Sequence, residues 1–224
     1  MAEVFVDMLP LIIGAMLLPV YVIIVLMLLS GENGLAKGIA FVSGITLTRV
    51  LQGIIFGFML TGRNDSAAGA SPNRILPTLL LVLGILLLIT AYKKWAKEPD
   101  PDAPPPTYLD SLAGMSTPKT LAMGALLVAV GAKLWVFTLG AINTIGAANL
   151  GRGSSIVAYL LYVIAAQLLI ILPVIAYAIA PAWAGKTLGN VRMWLDQHNR
   201  VIMIVVSLVF GLLFLWQGIA GLTG

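Results

Sequence analysis

The stretch LAKGIAFVSGITLTRVLQGIIFGFMLT, residues 35–61, decides how the rest of the chain is read. It is continuously apolar, and as a helix rising about 1.5 Å per residue it outreaches the roughly 30 Å hydrocarbon core of a bilayer. It lacks the period-two alternation of a membrane-barrel strand, so a membrane-spanning helix is expected. Near its midpoint stands Arg49, with no Asp or Glu anywhere in the stretch.

Five further runs have the same apolar character, over 8–29, 75–92, 119–148, 155–180 and 199–221. Hydrophobic residues make up 60% of the 224 positions and charged residues only 10%, against about 25% charged in an ordinary soluble domain. Six spans of about 21 residues use up nearly all the apolar positions, leaving nothing for a soluble enzyme domain. The fold class is therefore an all-α integral membrane protein with six transmembrane helices. Intrinsic disorder, a disulfide scaffold and a nucleic-acid-binding module are excluded. The net charge of +4 reports orientation rather than a nucleic-acid partner.

Catalysis has little to stand on. Cysteine is absent and His198 is the single histidine, so thiolate chemistry is excluded and a metal site of His ligands is not expected. The grouped carboxylates Glu98, Asp100 and Asp102 sit in a solvated linker. No enzyme activity and no cofactor are expected.

Orientation follows from the basic flanks. The segments after the first, third and fifth runs carry Lys37, then Lys93, Lys94, Lys97 and Lys119, then Lys186, Arg192 and Arg200. The opposite side carries Arg63, Arg74 and Arg152. The excess of basic residues marks the cytoplasmic side, which puts both termini outside the cytoplasm. The N-terminal MAEVFVDML has two acids and no basic residue before its apolar run. It lacks the basic start of a secretory signal, so retention of the first helix is expected. The segment 184–198, AGKTLGNVRMWLDQH, reads either as an amphipathic stretch at the interface or as a polar loop anchored by Trp194.

The Pro-rich segment around 104–106 favours an extended, water-exposed linker. It divides the chain into a first half, 1–93, a cytoplasmic linker, 94–118, and a second half, 119–224. Three spans per half is an odd number, so any structural repeat would be inverted. Gly14-Ala15-Met16-Leu17 against Gly124-Ala125-Leu126-Leu127 is a faint echo of such a repeat.

Polar residues inside the runs are the informative ones, because hydrocarbon does not solvate them. Thr46, Arg49, Gln52 and Gly53 share one face of the second helix. Lys133 stands near the middle of the fourth run, Gln167 in the fifth and Gln217 in the sixth. Arg49 and Lys133 are two mid-span cations without a mid-span anion, and each costs about 2.5 to 3.5 kcal/mol on insertion scales. They are candidate ligands for an anionic group, Arg as a planar fork and Lys as a point charge. Pro19 removes an amide donor inside the first run, and Gly131 precedes Lys133 in a fourth run too long for one untilted crossing. Both are candidate breaks or gates. Gly53 and Gly57 form a G-x-x-x-G pair, which points to close packing within the chain or between protomers.

The first run, MLPLIIGAMLLPVYVIIVLMLLS, resembles the opening helix of the GAP family of glycolipid- or sulfolipid-addressing proteins, within the LysE exporter superfamily. Pro19 and the closing Leu28-Leu29-Ser30 carry the likeness. Ala40-Phe41 and Gly44 match the family's A-F-x-x-G, and Asp110, Pro118 and Gly124 match its entry into the fourth helix. Where the superfamily has N-P-K, this chain reads Gly131-Ala132-Lys133. The lysine is kept and the proline is not, which leaves the fourth-helix break open.

The resemblance implies an inner-membrane protein of a bacterium, built of two inverted three-helix halves. It also implies an exporter or translocation partner for an amphiphilic, lipid-like substrate. Arg49 and Lys133 would hold the headgroup, with Thr46, Gln52, Gln167 and Gln217 adding hydrogen bonds. Export of a small soluble solute such as an amino acid or organic anion is an alternative. A non-transporting scaffold for a larger lipid transporter is another. Membrane lipids are expected partners, and a homodimer or a larger transporter partner stays open.

Overall fold

The computed structural model describes residues 2–64, 75–96 and 114–223. The described chain is helical, with no strand among these residues. Its helices are α1 (Ala2–Met16), α2 (Pro19–Leu29), α3 (Gly34–Asn64), α4 (Ile75–Ala96), α5 (Thr117–Val130), α6 (Ala132–Ala147), α7 (Arg152–Ala165), α8 (Leu168–Ile179) and α9 (Pro181–Thr223). The Pro-rich stretch, Asp110 and residues 65–74 lie outside the described residues.

Three segments are long and apolar enough to cross a membrane alone: Gly34–Gly57, Pro77–Ala96 and Gln197–Thr223. The remaining helices form three bent pairs that pass the same test together. α1 and α2 meet at 57°, α5 and α6 at 71°, α7 and α8 at 67°. Counting each pair as one span gives the six expected, and the chain is a multi-pass membrane protein. Large apolar side chains such as Val130, Ile179 and Trp216 lie more than 70% exposed on the outside. A soluble monomer rarely presents apolar surface on that scale, whereas lipid covers it.

Each break has a local cause. Pro19 occupies the first position of α2, where its missing amide is no loss and its fixed φ suits the helix start. Gly131 closes α5 with ψ near 85°, away from helical values. A Cβ there would stand 2.7 Å from the Leu127 carbonyl oxygen. The fourth span therefore breaks with no proline at the break, and the Trp135 indole donates to the Ala129 carbonyl at 2.8 Å, occupying one freed acceptor. The third break, at Ala166–Gln167, has neither Pro nor Gly and was not expected. Pro173 lies well inside α8 and does not mark it.

The breaks sort the apolar core into two clusters. One gathers Met8 and Leu11 of α1, Leu83 of α4, Phe137 and Ala141 of α6, Tyr162 of α7 and Phe214 of α9. The other gathers Ile24 and Leu28 of α2, Phe41 and Ile45 of α3, Val128 at the end of α5, and Ile170 and Val174 of α8. The halves of each broken span thus serve mainly different clusters, with the breaks between them.

Glycine governs the closest helix approaches. Gly44 of α3 lies against the backbone at Leu121 and Ala125, and Gly124 of α5 against the Phe41 carbonyl. Gly84 of α4 faces Gly211 and Leu215 of α9, and Gly218 faces Leu81. Any side chain at these four positions would push two backbones apart. The G-x-x-x-G pair does something different: Gly53 receives the ring of Tyr159, while nothing lies within 4 Å of a Cβ added at Gly57.

The segment 184–198 belongs to α9, a single helix of 43 residues and so about 65 Å long. It extends the last span beyond the hydrocarbon core. Ala184 is fully buried and Leu188 packs against the second cluster, while Trp183, Met193 and Trp194 face outward. Where α9 enters its apolar span, Arg200 Nε donates to the Lys94 carbonyl at 3.1 Å and Nη2 to that of Trp95 at 3.0 Å. A cation thereby caps the C-terminal, partly negative end of α4.

Candidate functional site

Arg49 lies midway along α3, the unbroken helix that runs past all three breaks. Its residue is 3% exposed, and both Nε and Nη1 are buried without a hydrogen-bond partner in the protein. The cavity at its side is walled by residues of every break: Ala15, Met16 and Leu18 at the first, Val128 and Leu134 at the second, Ala166, Gln167 and Leu169 at the third. Tyr21, Ile45 and Ile170 complete the wall. Its volume of about 300 Å³ includes the space open at its mouth. The enclosed part is far too small for an entire lipid.

The walls bring positive potential as well as polarity. α2, α6 and α8 all begin at breaks, behind Leu18, Gly131 and Gln167, and none has a side-chain cap on its first-turn amides. Uncapped amides at a helix start carry partial positive charge and favour an anion. Arg49 adds a full charge of the same sign. No Asp or Glu occurs in any of the six apolar runs to balance it.

Of the residues singled out from sequence, Thr46, Arg49 and Gln167 come together. The Thr46 hydroxyl lies 2.8 Å from the Val42 carbonyl and 3.1 Å from Gln167 Oε1, and can donate to one at a time. Gln167 Nε2 donates to the Val163 carbonyl at 3.0 Å. The third break is thus held by its own glutamine and tied to α3. Gln52, one turn from Arg49, is 4% exposed, and neither its Nε2 nor its Oε1 has a partner. Pro19 and Gly131 stand at breaks bordering the cavity.

Two residues differ. Gln217 does not join the site: it is exposed on the outer face of α9, whose inward face runs through Ser207, Phe210, Phe214 and Gly218. Three- and four-residue steps along that face pass it by. Lys133 falls in the first turn of α6, two residues beyond the second break, and its side chain lies outside the described residues.

The structure adds three residues that sequence reasoning passed over. The Tyr159 hydroxyl donates to the Arg49 main-chain carbonyl at 2.6 Å while its ring rests on Gly53. Tyr162 is fully buried with its ring 5.9 Å from that of Tyr159. Thr138 of α6, 1% exposed, lies beside Tyr162, yet neither oxygen has a hydrogen bond of acceptable geometry. Tyr21, Tyr159 and Tyr162 all lie within electrostatic reach of Arg49. Tyr and Thr are commonplace in apolar runs, and only their burial singles these out.

A family model described as Sap, sulfolipid-1-addressing protein, matches residues 8–220. No curated protein and no solved structure matches the chain.

Proposed function

Since the chain belongs to the sulfolipid-1-addressing protein family, we propose that it moves, or helps to move, an amphiphilic lipid with an anionic headgroup across the inner membrane of a bacterium. The observation that carries this reading is the buried Arg49 guanidinium, with two nitrogens unpaired, on a cavity where three broken spans meet. A guanidinium fork suits the oxygens of a sulfate or phosphate. Binding such a group offsets the cost of holding a cation inside the bilayer.

In this reading Arg49 is the headgroup ligand. Lys133 is the second: placed in the first turn of an uncapped half-helix, it adds positive charge where the helix is already positive. Thr46 and Gln167 position α3 against the third break. Pro19, Gly131 and Gln167 are hinges at which the half-spans tilt, opening the Arg49 cavity to one face of the membrane and then the other. Both termini lie outside the cytoplasm, and the two three-helix halves enter the membrane from opposite sides. Transport, rather than covalent chemistry on the lipid, is the activity.

The test compares envelope lipids, inner against outer leaflet, in cells carrying wild-type, Arg49→Gln or Lys133→Ala protein at matched membrane levels. Loss of a charge-assisted bond predicts transport lower by about 10- to 100-fold. Unchanged lipid distribution in both variants would sink the proposal.

A further inference from the structure

We propose that an apolar groove behind the first break, walled by α1, α4, α6 and α9, seats a hydrocarbon chain of the lipid whose headgroup Arg49 holds. This rests on the headgroup reading of Arg49 and adds a place for the tail. The groove is a second cavity, of about 350 Å³ counting the space open at its mouth. Gly14, Leu87, Phe137, Ser207 and Phe210 are its buried floor. Leu17, Leu18, Met203 and Val206 are its partly exposed rim. Ser207 is the one polar side chain among these nine. The floor is stiffened by aromatic contacts: the Phe214 ring lies 5.8 Å from that of Phe137 and 5.7 Å from that of Phe210. Glycine at position 14 admits the Phe137 ring, which any Cβ there would overlap.

The groove and the Arg49 cavity stand back to back. Leu18, at the first break, lines both. Just before it, Ala15 and Met16 wall the Arg49 cavity while Gly14 and Leu17 wall the groove. On α6, Leu134 walls the cavity and Phe137, one turn on, the groove. Two elements thus present one face to each space, with Leu18 as the common edge. Polarity changes across that edge: Arg49, Gln167 and Tyr21 lie on one side, and only Ser207 on the other. An amphiphile held by its headgroup at Arg49 meets apolar walls where the polar ones stop.

The lining defines the occupant. A cavity walled this way stays dry and accepts apolar groups, and it gives an ion or a polar solute no partner. Val20 and Val205, beside the rim, are exposed on the outer surface that lipid covers. A chain can therefore enter from the bilayer without crossing a polar layer. The groove is too small for a whole lipid, so it takes a length of one chain and leaves the remainder in the bilayer. Lipid tails are as apolar as these side chains, so the transfer itself gains little. What the chain gains is dispersion contact with walls that otherwise border a void. The groove thereby fixes where the tail lies relative to Arg49.

The experiment uses the full chain in phosphatidylcholine nanodiscs, with two probes at low mole fraction that carry the same mid-chain diazirine. One is a dodecyl sulfate and the other a phosphatidylcholine. Illumination cross-links each probe, and mass spectrometry maps the adducts. The sulfate probe is expected to label Leu17, Met203 and Ser207, and Arg49→Gln should lower that labelling by about 10-fold or more. The phosphatidylcholine probe should label outer residues of α9 such as Leu212 and Trp216, in both proteins alike. Ser207→Leu fills the floor and Val206→Phe narrows the rim, so a chain enters only by displacing side chains. Each should lower sulfate-probe labelling of Leu17 and Met203 by about 5-fold or more. Affinity for methyl sulfate, which has no tail, should fall in Arg49→Gln and hold in both groove variants, which also reports that they fold. Arg49-dependent labelling that lies outside the groove, or that survives both groove variants, overturns the groove alone. Equal labelling of the groove by both probes would make it a seat for bulk bilayer chains and likewise overturns it. Labelling and methyl sulfate affinity both indifferent to Arg49 overturn the headgroup reading and this one with it.

Discussion

The two glycines of the G-x-x-x-G pair are expected to respond to the same substitution with opposite signs. At Gly57 an added Cβ meets nothing within 4 Å, so Gly57→Ala keeps only the gain from helix propensity, about 1 kcal/mol. At Gly53 the same methyl would overlap three ring carbons of Tyr159. Either the ring moves or α3 and α7 separate. Overpacking of this kind costs about 1–3 kcal/mol. Displacing the ring also breaks the 2.6 Å bond from the Tyr159 hydroxyl to the Arg49 carbonyl, worth about another 1 kcal/mol. Propensity returns a comparable amount, so Gly53→Ala should destabilise by about 1–3 kcal/mol and stand about 2–4 kcal/mol below Gly57→Ala. Reversible unfolding in mixed micelles, followed by tryptophan fluorescence, resolves a gap of that size. Equal effects of the two substitutions would refute the assignment of Gly53 to the tyrosine contact. Destabilisation by Gly57→Ala alone, with a change in oligomeric state, would return the pair to the role of a protomer interface.

Ala132→Pro places a proline at the first position of α6, where proline is favoured. It should preserve the fold and add about 0.4–1 kcal/mol by stiffening the unfolded chain, measured by the same unfolding assay. Gly131→Ala, one position earlier, brings a Cβ to 2.7 Å from the Leu127 oxygen and should destabilise by about 1–3 kcal/mol. Gln167→Leu removes the bonds to Val163 and Thr46 and should accelerate amide exchange around 166–171, read by hydrogen–deuterium exchange. Arg200→Ala uncaps the end of α4 and should raise exchange at residues 92–96 without altering binding at Arg49.

What could be read from the sequence was what hydrocarbon makes exceptional. Arg49 is conspicuous because a guanidinium in an apolar run has no ordinary reason to be there, and Pro19 because it removes a donor. The six runs, and from them the all-α membrane class, follow from length and apolarity alone. The third break was hidden because Ala165-Ala166-Gln167 contains no helix breaker. The Gln167 side chain holds it by a local bond to the Val163 carbonyl and by accepting from Thr46 of α3, a tertiary contact that a single span cannot reveal. The outward position of Gln217 was hidden for a related reason. The last run is apolar on nearly every side, so sequence gives its spacing but not which face turns inward. Tyr159, Tyr162 and Thr138 needed burial to distinguish them from the many similar residues that reach an interface. The break in the fourth span shows the converse, since Gly131 supplies its geometry with no proline at the break.

The convergence of the three breaks on Arg49 has an electrostatic logic beyond hinge mechanics. At each break one half-helix ends and another begins, so the carbonyl ends of α1, α5 and α7 lie near the uncapped amide ends of α2, α6 and α8. The carbonyl ends stabilise a cation and the amide ends an anion, each by a fraction of a charge. Arg49 draws on the first set even when no ligand is bound, which helps an intramembrane guanidinium persist without a carboxylate partner. The second set then remains for the proposed anionic headgroup. A straight span offers neither, because every mid-span carbonyl and amide is taken by its own helix. Breaking three spans at one level thus creates the only depth in the described bundle where a fixed cation and a mobile anion find separate backbone support. In the proposed transport, tilting the half-spans changes that support directly, which couples opening of the cavity to the strength with which the anionic headgroup is held.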